Sequence, residues 1–564
     1  MSRLTLAQPN GQPEARKARG AFFTPPAIAS FLARWAIAGR PTAKVLDPTC
    51  GDGAFLVCVA EMLGELTGDP VRVGSQVFGV DVHSGSLTRA TQELRSRGLD
   101  AELLEADFFG LRPPTEQVAE LPGMDAIVGN PPFIRYQRHA GEARRLSREA
   151  ALRQGVRLSG LASSWAALLI HAGGFLNADG RLAMVLPAEL LTVGYAEPVR
   201  QWLRRRFAAV KLVMFDRLQF DDALEEVVLL LAHGSGGCDA FSLYYVSDAA
   251  DLLNIQPFDG FAVTLAPEGK WTDMLLSVRQ RQLFKHVTAE HFTSLSTYGA
   301  PTLGTVTGAN DYFTLGESTR LGFGLREGDH VVRISPPGTR HLRGAAFTSA
   351  DWAELRAMDQ QVWMLYPAAD PITDEALAAY LRVGEQAGIP DAYKCQIRSP
   401  WWKPPSATVP DLFFTYMSHR HPRLIANRAN AAFVNSMHGL SLSPSAPRHA
   451  KDALPLLTLN SVTFLGAELY GRAYGGGILK MEPREAASLP VPNADVLQRA
   501  WAILKPERDR LDTQLRNGLW TNVVARVDEV LLRDVLQLPS ETRLELQEAA
   551  RSLRARRMGR GIRE

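Results

Sequence analysis

Asn130-Pro131-Pro132-Phe133 follows directly on a short apolar run, Asp125 to Val128. A side-chain amide oxygen and a neighbouring backbone carbonyl can accept the two N–H bonds of an exocyclic aromatic amine. Such an amine is a poor nucleophile, because its lone pair is delocalised into the ring. Two acceptors draw the nitrogen toward tetrahedral geometry and localise that pair. Proline stiffens the backbone and has no N–H to compete. Phe133 offers a flat face for an unstacked base. A plain turn is the bland alternative, since Asn and Pro both favour turns. The position at a strand's carboxyl end favours a site, because open α/β sheets bind ligands there. Asn130, Pro131, Pro132 and Phe133 are therefore the catalytic candidates.

A second segment, Val45-Leu46-Asp47-Pro48-Thr49-Cys50-Gly51-Asp52-Gly53-Ala54-Phe55-Leu56, reads as strand, glycine-containing turn and helix. Its spacing is not G-x-G-x-x-G, and no Gly-Lys-Ser/Thr follows, so dinucleotide and Walker-type phosphate sites are excluded. Asp47 and Asp52 would repel a pyrophosphate. They suit a ligand with a cationic amino group and a sulfonium, which S-adenosylmethionine has. Asp81 ends the next strand, Val77 to Asp81, where a carboxylate can accept both ribose hydroxyls. Asp107-Phe108 follows the third strand, placed to meet the adenine amino group and ring of the same ligand. Either aspartate alone is more simply a cap or turn residue. Their order after successive strands argues for one pocket.

These residues need a frame, and up to about residue 240 the sequence supplies one. Strand-like runs at 43–46, 76–80, 101–105, 124–128, 181–186, 211–215 and 227–231 alternate with helical stretches at 54–66, 86–97, 164–176 and 197–206. That alternation predicts a doubly wound, mostly parallel Rossmann-like α/β sheet, its last two strands forming an antiparallel hairpin. Residues 241–490 mix short strands with Pro- and Gly-rich turns and read as a separate α+β domain. Residues 491–564 read as a helical C-terminal segment ending in an Arg-rich run.

At 564 residues the chain is long enough for several domains, and 46% hydrophobic with 22% charged residues is ordinary for a globular protein. A net charge of +2 means that any basic surface is local. Ten of the 62 basic residues are Lys and 52 are Arg, which suits bidentate phosphate and guanine contacts, although a GC-rich genome alone gives the same bias. Four scattered cysteines without a CxxC pair imply neither disulfides nor zinc, and fit a reducing cytoplasm. The polar N-terminus has no apolar signal core, and no apolar run of about 18 residues suggests a membrane span.

Together these motifs resemble the gamma-type N6-adenine DNA methyltransferases of restriction–modification systems, the group typified by the TaqI methyltransferase. Gly20 to Pro26 is similar to that family's N-terminal cofactor motif, and it precedes the acidic turn and Asn130–Phe133 in the family's order. The resemblance implies that Phe23, Thr24, Asp47, Thr49 and Gly51 lie near the methionine part of S-adenosylmethionine, with Phe22 near the target base. It implies S-adenosylhomocysteine as product, no metal, double-stranded DNA as substrate, a monomer, and room for a separately encoded restriction endonuclease as partner. Gly304 to Phe313 and Tyr474 to Lys480 look like motifs of target-recognition domains. Where relatives often carry an aromatic pair before the fifth strand, this chain has Ser163-Ser164-Trp165. A second aromatic to flank the base is expected near Phe220 to Leu231, and none can be singled out.

Within 241–490, Arg398, Trp401, Trp402 and Arg420 interleave charge with aromatics and are the candidate DNA contacts. A cytosine-C5 enzyme is excluded, since no Pro-Cys dipeptide supplies its nucleophile. N4-cytosine enzymes typically carry Ser in place of Asn130. RNA and protein-glutamine enzymes share the Asn-Pro-Pro-aromatic motif but usually lack so large a downstream domain. No Asp/Glu-x-Lys follows Pro390-Asp391 or Pro410-Asp411, which argues against a fused nuclease, as does a cofactor motif beginning by residue 20. A DNA-binding relative without activity is the remaining rival, separated by whether S-adenosylmethionine binds.

Overall fold

The structure is a computed structural model and describes residues 24–69, 72–115, 119–134, 141–215, 227–246, 248–254, 261–264, 271–368, 374–474 and 477–559. It divides the chain into two units, Met1–Met274 and Leu275–Glu564.

The first unit is built on a nine-stranded sheet of order β3-β2-β1-β4-β5-β7-β6-β8-β9. Its strands are β1 (Val45–Asp47), β2 (Val77–Asp81), β3 (Glu102–Glu105), β4 (Met124–Gly129), β5 (Leu176–Pro187), β6 (Ala209–Phe215), β7 (Val227–His233), β8 (Ala240–Val246) and β9 (Phe261–Thr264). β1 to β5 run parallel, and β7 lies antiparallel between β5 and β6. The parallel sheet and its closing hairpin are those the alternation predicts. β1, β7 and most of β5 are buried along their length, as strands covered on both faces must be.

Helices α1 (Pro26–Ile37), α2 (Ala54–Thr67), α3 (Ser84–Ser96), α4 (Gly141–Arg153), α5 (Ser164–Gly173) and α6 (Glu197–Arg206) accompany the sheet. Pro26 opens α1 at a position where a missing N–H costs nothing. α5 is buried on every face, which explains its almost wholly apolar sequence. β8 pairs with β6 and β9 with β8, so the sheet continues past residue 240. The unit ends at Met274, later than the boundary expected at 240, because these strands complete sheet hydrogen bonding rather than begin a new core.

The second unit carries a five-stranded sheet whose strands are, in order, Gly299–Leu303, His438–Leu442, Leu412–Phe414, Leu424–Asn427 and Ala346–Phe347. The unit also holds, among the described residues, two three-stranded sheets, a two-stranded sheet and several helices. One apolar core runs from Leu276 through the strands to Leu553. The helices Ala494–Leu504, Arg508–Arg516, Trp520–Asp528 and Ser540–Gly559 share that core. The expected division at 490 is thus absent: their apolar faces are buried against the preceding α+β residues. Among the described residues no helix is long and apolar enough to cross a membrane.

Candidate functional site

At the carboxyl end of β1 the carboxyl of Asp47 is almost fully buried, at 1% exposure. Its Oδ1 accepts the Thr49 backbone N–H at 3.1 Å. Burial pushes its pKa up to about 7; the Thr49 N–H opposes this and the charge of Asp81 adds to it. Gly51 has φ 53°, a conformation that favours glycine, and a side chain there would meet nothing within 4 Å. The Gly51 N–H donates to Asp81 Oδ2 at 3.0 Å, and the His83 N–H donates to Oδ1 at 2.8 Å. Asp81 thereby pins the turn to the end of β2 while keeping lone pairs on both oxygens. The Thr49 hydroxyl is buried without a hydrogen-bond partner among the described residues. A buried carboxylate, an unsatisfied hydroxyl and open space over Gly51 fit a ligand carrying an ammonium group and hydroxyls.

The Asn130 loop lies against this turn. A Cβ on Gly129 would stand 2.9 Å from Asp47 Oδ1, so only glycine lets the loop's backbone approach the carboxylate so closely. Asn130 Nδ2 donates to Thr24 Oγ1 at 3.2 Å. That bond orients the amide, and its oxygen is the arm turned from Thr24. Thr24, Asp47, Gly129 and Asn130 thus meet although they lie in three separate stretches of sequence. Phe22 and Phe23 lie outside the described residues, as does Phe220.

Ser164, at the first turn of α5, holds the far side of the loop. Its hydroxyl donates to the Pro132 carbonyl and accepts the Ile134 N–H at 3.0 Å, and its own N–H donates to the Ile134 carbonyl at 3.0 Å. Beside it, Trp165 Nε1 donates to the Tyr195 hydroxyl at 3.1 Å, and that hydroxyl donates to Glu189. Burial, then the Glu189 carboxylate, holds the Tyr195 phenol far above its ordinary pKa, so it remains a donor. In the sequence, Ser163-Ser164-Trp165 stands out only as a departure from an aromatic pair. Ser164 follows Asn130 by 34 residues, and nothing in their spacing signals the contact.

Phe133 is 8% exposed and Phe108 3% exposed. Phe108 packs against His171 and Phe175, with ring centroids at 4.9 and 5.0 Å, and its carbonyl meets His171 Nε2 at 3.0 Å. Burial first, then Arg153, lowers the pKa of His171 to about 4 and keeps that ring neutral. Asp107 caps the short turn 108–110 by accepting the Phe109 N–H at 3.0 Å.

In the second unit, three of the four DNA-contact candidates serve the fold. The Arg398 guanidinium donates to the Thr307 carbonyl and, at 2.7 Å, to that of Lys394, and it lies 5.5 Å above the Phe313 ring. Trp402 is buried in a second apolar cluster with Phe413 and Phe433, and Trp401 packs beside Tyr312 at 6.0 Å. The Arg420 side chain alone of the four is exposed.

Residues 10–213 match a family model described as N-6 DNA Methylase, and residues 268–532 match one described as the C-terminal domain of Type II methyltransferase M.Eco57I. Type II methyltransferase M.AccI of Acinetobacter calcoaceticus is 23% identical over 489 residues, covering 84% of this chain and 85% of its own. Type II methyltransferase M.XamI of Xanthomonas campestris pv. amaranthicola is 24% identical over 498 residues, covering 85% and 86%. Among solved structures, the Type IIL restriction-modification enzyme MmeI in complex with DNA is 12% identical with a TM-score of 0.49, covering 94% of this chain and 75% of MmeI.

Proposed function

We infer, from the premise that this chain is an adenine DNA methyltransferase of the restriction–modification kind, that it transfers a methyl group from S-adenosylmethionine to N6 of an adenine turned out of double-stranded DNA. The observation that carries this reading is the meeting of the acidic turn with the Asn130 loop, through Asp47 against Gly129 and Thr24 on Asn130. When bound, S-adenosylmethionine supplies an electrophilic methyl group on a sulfonium. Asp47 and the Thr49 hydroxyl would hold its amino-acid end, and Asp81 would accept from its ribose hydroxyls. Asp107 and the edge of the Phe108 ring would border the adenine.

The target amine lies inside the stacked duplex, so the base must leave the stack before in-line attack. The Asn130 amide oxygen and the Pro131 carbonyl accept the two amine protons and oppose the positive charge that develops on nitrogen. With the cofactor bound, its sulfonium would give up the methyl group to that nitrogen, and one amine proton would pass to solvent. No enzyme nucleophile takes part, so catalysis is positioning and electrostatics. Phe133 is well covered, so a base stacks on its face only after that cover shifts.

The first unit carries cofactor and chemistry, and the second supplies site recognition. A monomer, with any restriction endonuclease as a separate chain, completes the reading. The deciding experiment is single-turnover transfer from labelled S-adenosylmethionine to a cognate duplex by the full chain. Label on adenine N6 is expected, and label on cytosine overturns the assignment.

A further inference from the structure

The His419–Arg423 loop, Gly477 and the C-terminal helix Ser540–Gly559 converge on one buried guanidinium in the second unit. Arg557 is 3% exposed and forms a bidentate pair with Glu468, Nε to Oε2 at 2.9 Å and Nη2 to Oε1 at 2.7 Å. Its remaining N–H groups donate to the carbonyls of Gly477, His419 (3.3 Å) and Arg420 (3.2 Å). A pair this deep pays heavily in desolvation, so geometry rather than stability is its product. What it fixes is the backbone of Arg420.

The Arg420 side chain leaves that anchored backbone into solvent, 5.9 Å from the Trp520 ring centroid. Arg423 occupies the same ring at 4.4 Å but spends its donors on the carbonyls of Leu342, Arg343 and Gly344. Arg554 lies one helical turn before Arg557, and its buried Nε has no partner among the described residues. Neither Arg420 nor Arg554 has a carboxylate partner among the described residues. The charges felt at Arg554 are two cations, Arg557 and Arg420, against Glu468, which Arg557 already occupies. His421 adds no charge: burial and then the three arginines bring its pKa to about 3.

We propose that Arg420 and Arg554 form a clasp for a phosphodiester of the DNA backbone, held in register by the Arg557–Glu468 pair. The clasp rests on the reading that this chain acts on DNA. It gives positioning on the duplex, not sequence, because phosphates are the same at every base pair. Binding of the full-length protein to cognate and non-cognate duplexes is measured by fluorescence anisotropy from about 50 to 200 mM salt. Arg420→Gln and Arg554→Gln should each flatten the slope of log affinity against log salt by about 0.9, and the pair by about 1.8. Discrimination between the duplexes and affinity for S-adenosylmethionine should stay as in the parent. Arg420 is exposed, so its variant folds and decides the matter even if the other does not. An unchanged slope in Arg420→Gln overturns the clasp alone. A loss confined to the cognate duplex overturns the phosphate assignment in favour of base reading. Absence of duplex binding by the parent overturns the DNA reading and the clasp with it.

Discussion

Replacing Asp47 with Asn tests the proposed cofactor pocket through proton linkage. The carboxyl is raised from 3.8 to about 7, chiefly by burial. Three units at about 1.36 kcal/mol each make about 4 kcal/mol the scale of keeping it ionised in the cofactor-free protein. Between pH 4 and 7 the folded chain holds a proton at Asp47 that the unfolded chain has lost. The contribution of this group to stability is therefore full below about pH 4, falls as pH rises to about 7, and is flat above. Asp47→Asn removes that slope and should stabilise the cofactor-free protein at pH 8, by at most about 4 kcal/mol. The same change should weaken S-adenosylmethionine by about 1.5–3 kcal/mol through loss of a hydrogen bond to a charged partner. An ammonium group beside Asp47 favours its ionised form, so binding at pH 6 should release up to one proton. Titration calorimetry at that pH, in buffers of different ionisation enthalpy, counts the proton, and thermal melts from pH 5 to 8 report the slope. Wild-type affinity in Asp47→Asn, or binding at pH 6 without proton release, refutes the argument.

Asn130→Ala should lower single-turnover methyl transfer about 100-fold or more while cofactor affinity holds, as for loss of one preorganised hydrogen-bonding group; near-normal 6-methyladenine formation would show that the amide is not an acceptor. Asp81→Ala should weaken S-adenosylmethionine by about 1–3 kcal/mol, read by calorimetry on the folded variant. Ser164→Ala strands the Pro132 carbonyl and Ile134 N–H at about 1–3 kcal/mol; turnover should fall with cofactor affinity intact and return in Ser164→Thr, and equal loss in both variants would assign the serine to packing alone. Gly129→Ala places a methyl group 2.9 Å from Asp47 Oδ1 and should depress cofactor affinity and turnover together.

Local rules carried the chain far. Apolar runs spaced by amphipathic stretches specify strands and helices through the period of each backbone, and in 1–240 they predicted the parallel order and the closing hairpin. The residue types of Asn130–Phe133 and of the acidic turn led to the chemistry proposed, because acceptors and carboxylates carry their reactivity wherever they stand. What sequence could not supply was which side chains are consumed by folding. Arg398 and Arg420 read alike as basic residues near aromatics, yet one satisfies the carbonyls of Val306 and Thr307 and the other faces solvent. Ser164 looked like a missing aromatic until α5 brought its hydroxyl to Pro132. The division at 490 failed for the same reason, since helical pattern reports an apolar face but not what covers it. Periodicity and residue type act over a few bonds, whereas burial and hydrogen-bond partnership are settled between residues tens to hundreds apart, and only the tertiary structure decides those.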